Sequence, residues 1–190
     1  STGNTEESND LLISTLEKGI KKLSVERGKK INFIFEENNL IIPEKYKLDI
    51  KDMSIQLIRN SMIHGIEEID DRQFLGKSET ATIKIDIKKS DAGHLQFTYE
   101  DDGSGLDVDA IVKKAIQKNI ISEELAGSMS ALEKTQLIFK DGFSTAEEID
   151  NNAGRGQGMS VIKSIIKKHK GNCLLETKKN HQFKLIVKLP

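Results

Sequence analysis

Three stretches of this chain carry side chains suited to gripping a charged ligand. The first is Gln56-Leu57-Ile58-Arg59-Asn60-Ser61-Met62-Ile63-His64. Gln56, Asn60 and His64 stand four residues apart, so on a helix they share one face, while Leu57, Ile58 and Met62 point elsewhere. Such a polar face is ordinarily just solvated. As a ligand site it would offer an amide oxygen, a hard ligand suited to Mg²⁺, which commonly also holds substrate phosphates.

The second stretch is Glu100-Asp101-Asp102-Gly103-Ser104-Gly105. Gly103 and Gly105 let the backbone turn and come close to a ligand. By itself this is an ordinary acidic turn. A Ca²⁺ loop is excluded, because Gly103 takes the third ligand position and the sixth-position Gly and closing Glu are absent. A pocket carboxylate here could accept the exocyclic amine of adenine. Guanine would turn a carbonyl toward it, and acceptor against acceptor discriminates by repulsion.

The third stretch is Gly154-Arg155-Gly156-Gln157-Gly158-Met159, which runs into a helix. Glycine-rich backbone before a helix N-terminus can cradle phosphate, because its amides point at the anion. A lone turn of this kind is more often a flexible connection. Gly76-Lys77-Ser78 imitates the end of a phosphate-binding P-loop, but Asp71 stands where that motif has its first glycine, so the match fails.

The elements that must position these residues follow from periodicity. Leu12, Leu16, Ile20 and Leu23 make one apolar helical stripe, with Gly28 as its stop. Ile31, Phe33 and Phe35 alternate like a strand. Leu40-Ile41-Ile42 reads as its return across an Asn38-Asn39 turn, ended by Pro43. A second helix is expected over residues 49–65, and the charged residues 67–80 read as a loop. Ile83, Ile85 and Ile87 pair with Leu95, Phe97 and Tyr99 as a hairpin. Residues 110–118 and 130–139 read as two short helices, and residues 141–158 as a long polar loop, a length that usually marks a lid or a disordered segment. Val161, Ile162, Ile165 and Ile166 mark a last helix, closed by Gly171. Residues 173–176 and 183–189 form a final hairpin, with Cys173 in its core. Locally paired strands among helices predict an α+β two-layer sandwich with a mixed sheet on one side and helices on the other.

The 190 residues carry 29 Lys+Arg against 30 Asp+Glu, a net charge of −1, which argues against bulk electrostatic binding to nucleic acid. Lys163, Lys167, Lys168 and Lys170 line one helix side, without interleaved aromatic residues, and read as a solvated face. No apolar run approaches the roughly 18 residues of a membrane span, so no membrane insertion is expected. A single cysteine excludes a disulfide framework and a thiolate zinc site and favours a reducing, cytoplasmic setting. Residues 1–6 read as a tag remnant and disordered N-terminus, and residues 7–190 as one domain.

Taken together, these stretches resemble the GHKL ATPase superfamily of gyrases, heat-shock chaperones, histidine kinases and MutL. They are most similar to the ATP-binding domain of CheA-like chemotaxis histidine kinases. The resemblance rests on Leu57-Ile58-Arg59-Asn60-Ser61 with His64-Gly65-Ile66-Glu67, then Asp101-Asp102-Gly103-Ser104-Gly105-Leu106. It continues through Ile138-Phe139 with Gly142-Phe143-Ser144-Thr145-Ala146-Glu147, and Gly154-Arg155-Gly156-Gln157-Gly158-Met159. It covers most of the chain, from about Leu11 onward.

The resemblance implies a Bergerat-type fold that binds ATP and Mg²⁺. Asn60 would hold the metal and His64 would reach the phosphate end. Asp101 would take the adenine amine, directly or through a water, with Gly103 and Gly105 permitting the approach. Ser144, Gly154, Arg155, Gly156, Gly158 and Met159 would wrap the triphosphate as part of a mobile lid that Phe139 and Phe143 hinge or seat. Lys114 would supply a phosphate-side cation.

The implied chemistry is transfer of the ATP γ-phosphoryl group to a histidine, with a response regulator downstream. The acceptor is expected on a separate phosphotransfer domain, and dimerisation only through regions outside these residues. His94, His169 and His181 read as plain surface histidines. Two departures from the family pattern stand out. Gln56 occupies a position usually held by His or Glu, and Gln cannot take a proton. Gln182-Phe183 stands where a Gly-Thr pair normally opens the last strand. These departures raise a catalytically reduced nucleotide-sensing module of the same fold as the alternative; a plain ATPase of the superfamily is a third reading, against which Gln56 argues.

Overall fold

The computed structural model describes residues 8–143 and 159–190. Helix α1 (Asp10–Arg27) ends at Gly28, whose φ of 63° turns the chain sharply back. Strand β1 (Lys30–Glu36) follows, then α2 (Glu44–Asn60), a π-helical turn (Ser61–Gly65) and the short α3 (Ile69–Phe74). Strands β2 (Thr80–Lys89) and β3 (Leu95–Asp101) form a hairpin. Helices α4 (Val108–Gln117), α5 (Glu123–Ser128) and α6 (Ala131–Thr135) and a 3₁₀ turn (Gln136–Phe139) come next. The described chain closes with α7 (Met159–Lys168), β4 (Asn172–Lys178) and β5 (Gln182–Leu189).

The five strands lie in the order β1-β2-β3-β5-β4. β1 runs parallel to β2 and the other pairs are antiparallel. The expected mixed sheet is therefore present. Its strands alternate in period two, so one face is buried and the other wet. Ile83, Ile85 and Ile87 of β2, Phe97 and Tyr99 of β3, and Phe183, Leu185 and Val187 of β5 are all buried. They meet Met53, Leu57 and Met62 from the α2 segment and Ile162 and Ile165 from α7 in one core. Lys84, Asp86, Lys88, Glu100 and Lys184 line the open face.

Four local expectations need correction. The return strand at Leu40-Ile42 does not exist. Asn38 and Asn39 do adopt positive φ (50° and 55°), and Leu40 N donates to Glu37 O at 2.9 Å, so the tight turn forms. The following backbone is then captured by Asn9, whose Nδ2 donates to Leu40 O while its Oδ1 accepts from Ile42 N. Pro43 caps α2 instead of ending a strand, and β1 takes β2 as its parallel neighbour through the α2 crossover. The 67–80 stretch contains α3 rather than only loop. Residues 123–128, given no element from sequence, form α5, capped by the Ser122 hydroxyl on Leu125 N. His169 is no plain surface residue: its Nε2 lies 2.6 Å from Asp49 Oδ2, its ring packs edge-on against Tyr46, and it ties α7 to α2.

Candidate functional site

Asp101 ends the central strand on its buried side, two residues beyond Tyr99 and four beyond Phe97, and it is 1% exposed. The same alternation that buries the core therefore delivers this carboxylate into the interior. Its Oδ1 accepts from Gly103 N at 2.9 Å and its Oδ2 accepts from the Ser61 hydroxyl at 2.5 Å. Ser61 Oγ also lies 2.5 Å from the Tyr99 hydroxyl.

Ser61 belongs to the π turn that continues α2. The wide turn shows in the bond from Ile66 N to Ser61 O at 2.7 Å, five residues back. Such bulges recur at functional sites because they re-aim side chains. Here the turn interrupts the helix between Asn60 and His64, so the regular face expected for Gln56, Asn60 and His64 is broken at its far end. Lys29, itself buried, holds the turn open by donating to Met62 O and Ile66 O, both at 2.7 Å. Burial pushes the Lys29 amine below the ordinary lysine range, against the upward pull of Glu68.

Asn60 is buried, and among the described residues its Nδ2 has no hydrogen-bond partner. A buried amide without a partner is uncommon and costly. Which end of the amide is nitrogen is an assignment, so either end can face a ligand. The Asn60 turn and the Asp101 loop are docked to each other: Ser104 donates to Gly65 O from both its amide (2.8 Å) and its hydroxyl (3.1 Å).

The glycines of that loop serve close backbone approach, but within the protein. A Cβ at Gly103 would lie 2.3 Å from Gly65 O. Gly105 has φ +72°, and a Cβ there would lie 2.7 Å from Lys178 O and Thr177 Oγ1. Behind the loop sits an ion cluster that sequence reading missed. Arg72, 1% exposed, donates to Glu67 Oε1 (3.0 Å), Ser78 O (2.6 Å) and Asp102 Oδ2 (3.3 Å). Lys77 Nζ donates to Glu67 Oε2 (2.7 Å), Gly103 O (3.1 Å) and Asn180 O (2.9 Å). The P-loop look-alike thus spends its lysine on holding the Asp101–Gly105 turn. Glu67, singled out only as part of the His64-Gly65-Ile66-Glu67 motif, is the hub between both cations.

The other residues expected at the site make contacts of their own or lie outside the described residues. Lys114 Nζ sits 4.6 Å from the centre of the Phe143 ring, a cation–π contact. Lys118 Nζ donates to Phe143 O at 2.9 Å. Phe143 and Met159 are both buried in the common core. Ser144, Gly154, Arg155, Gly156 and Gly158 lie outside the described residues, as does most of the expected lid. At the expected Gly-Thr position, Phe183 pairs in register with Asp101 and packs edge-on against Tyr99. Gln182 Nε2 donates to Glu100 Oε1 at 2.5 Å.

Residues 49–190 match the family described as histidine kinase-, DNA gyrase B-, and HSP90-like ATPase. The chain is 41% identical over 152 residues to the sensor histidine kinase CheAY of Helicobacter pylori, covering 80% of this chain and 19% of that protein. It is 32% identical over 181 residues to the chemotaxis protein CheA of Listeria monocytogenes, covering 95% and 29%. The chain therefore spans less than a third of the length of either relative. Among solved structures, the catalytic domain of histidine kinase ThkA is similar at a TM-score of 0.54 and 20% identity, with 96% and 93% of the two chains covered. Full-length ShkA, in complex with AMPPNP, gives a TM-score of 0.57 at 13% identity, covering 94% and 29%. These likenesses bear out the expected fold.

Proposed function

The chain belongs to the histidine kinase-, DNA gyrase B- and HSP90-like ATPase family, and from that premise we propose that it is the ATP-binding catalytic domain of a CheA-like protein-histidine kinase. It moves the γ-phosphoryl group of ATP to a histidine on a separate phosphotransfer domain, for relay to a response regulator. Kinship with CheA proteins supports this reading. The observation that carries it is the buried Asn60, whose Nδ2 has no hydrogen-bond partner among the described residues, one residue from the serine that grips Asp101.

A buried amide at this place fits Mg²⁺ held jointly with phosphate oxygens. Bound there, the metal would supply charge neutralisation for phosphoryl transfer. Asp101 accepts the adenine amine. His64 and Lys114 serve the phosphate end. Ser144, Gly154, Arg155, Gly156 and Gly158 wrap the triphosphate, with Phe143 and Met159 seating the ends of that segment.

A histidine acceptor suits Gln56, because a neutral imidazole nitrogen already offers a lone pair and needs little help from a base. Water attack needs more, so hydrolysis runs slowly. The acceptor lies on another domain or chain: His169 is engaged by Asp49, and His64 belongs to the site. Among the described residues no helix is long and apolar enough to cross a membrane, and the reading puts this domain in the cytoplasm. Incubation with labelled ATP, Mg²⁺ and a cognate phosphotransfer domain is expected to label that domain's histidine. Tight ATP binding with no transfer to any cognate acceptor would replace this reading by the nucleotide-sensing module.

A further inference from the structure

Asp101 is fully buried, and its carboxylate is oriented from two sides, by the Gly103 amide on Oδ1 and the Ser61 hydroxyl on Oδ2. The amide is fixed by the loop. The hydroxyl is different, because a serine proton can rotate to another acceptor. What restrains it is Tyr99. A hydroxyl has one proton, and Ser61 commits it to Asp101. The 2.5 Å contact between Ser61 Oγ and the Tyr99 hydroxyl is therefore a bond in which Tyr99 donates. Donation runs in one direction, from Tyr99 to Ser61 to Asp101, through side chains that are 0–1% exposed. Tyr99 is in turn held by its ring against Phe183, centroids 6.3 Å apart.

We infer that Ser61, locked by Tyr99, is a positioning residue that sets the preference of the site for adenine over guanine. The inference deepens the reading of Asp101 as acceptor of the adenine amine and rests on it. Repulsion of a guanine carbonyl works only while two conditions hold. The carboxylate must not turn away, and no nearby donor may swing round to greet the carbonyl. The Ser61 bond meets the first condition. Donation from Tyr99 meets the second, because it occupies the oxygen and keeps the serine proton pointed at Asp101. Without Tyr99 the serine proton can serve either acceptor.

The test is calorimetric titration of the domain with Mg-ATP and with Mg-GTP, reading the ratio of the two Kd values. Ser61→Ala removes a hydrogen bond to a charged group and is expected to shrink the ATP preference about tenfold. Tyr99→Phe keeps the ring packing and is expected to shrink it about threefold, chiefly through tighter GTP binding, since one neutral hydrogen bond is lost. The double variant is expected to match Ser61→Ala alone, because Tyr99 acts through Ser61, whereas independent packing effects would add.

An unchanged ratio in folded Ser61→Ala and Tyr99→Phe overturns the inference while leaving Asp101 its role. Should Ser61→Ala not fold, Tyr99→Phe decides. A wild-type domain that binds both nucleotides equally removes the adenine role of Asp101 itself, and this inference with it.

Discussion

Gly103 stands against Gly65 so closely that a Cβ on it would lie 2.3 Å from the Gly65 carbonyl oxygen and 2.7 Å from its carbonyl carbon. Both contacts are backbone, so neither can step aside cheaply. Gly103→Ala must push the Asp101 loop off the π turn. The expected cost is about 1–3 kcal/mol, as for other overpacked sites, together with loss of nucleotide-dependent stabilisation. Gly19 makes the control. It sits inside α1 with nothing within 4 Å of a built Cβ, and Gly19→Ala should gain about 0.5–1 kcal/mol from helix propensity. Urea unfolding of both variants checks the pair.

Asn60 offers a cleaner separation of binding from folding. Among the described residues its Nδ2 has no partner to lose, so Asn60→Ala should shift the nucleotide-free melting temperature by no more than about 2–4 °C, the equivalent of roughly 1 kcal/mol at this size. Mg-ATP should raise the melting temperature of the wild type and leave the variant where it was. Removal of Mg²⁺ with EDTA should flatten the wild-type response in the same way. A full nucleotide shift in Asn60→Ala would dismiss the amide as metal ligand.

Glu67 is expected to be the costly residue of the loop's support. It is mostly buried and takes one oxygen from Arg72 and the other from Lys77. Glu67→Ala leaves a guanidinium that is 1% exposed without its main counter-charge. Breaking a buried pair from one side costs about 3–5 kcal/mol. Denaturant unfolding should show that loss, and Arg72→Met combined with Glu67→Ala should recover part of it. Equal stability of wild type and Glu67→Ala would show the cluster to be energetically idle.

Asp49 gives the molecule an acid limit. Burial pushes its carboxyl up, but hydrogen bonds from His169 and Lys168 outweigh burial and hold it below the ordinary carboxylate range. A carboxyl lowered by folding contributes stability above its unfolded value, about 4, and that contribution is lost as pH falls through the folded value. The wild type should therefore lose stability below about pH 4 more steeply than Asp49→Asn, measured by thermal unfolding across the acid range. Parallel curves would mean that the Asp49–His169 tie carries no net stability.

The features legible in the chain's residues alone are local ones. The chemistry expected of Asn60, Asp101 and the glycine segment rests on resemblance to a family, whereas period-two runs marked β2, β3 and β5 and the Leu-Ile stripe marked α1. Each of these is written in neighbours two to four residues apart, where side-chain direction follows from backbone geometry alone. Even the Asn38-Asn39 turn was legible. Its consequence was not, because what the returning chain meets depends on Asn9, more than thirty residues upstream in its bond to Ile42. Contacts between distant segments make β1 pair with β2 rather than with its own return and make His169 close on Asp49. The same holds for Lys77, which braces a loop instead of binding phosphate. The bond from Ser61 to Asp101 spans 40 residues and has no periodic trace in sequence. It exists because a wide helical turn and the end of a buried strand arrive at one place, where a buried carboxylate needs donors wherever the fold supplies them.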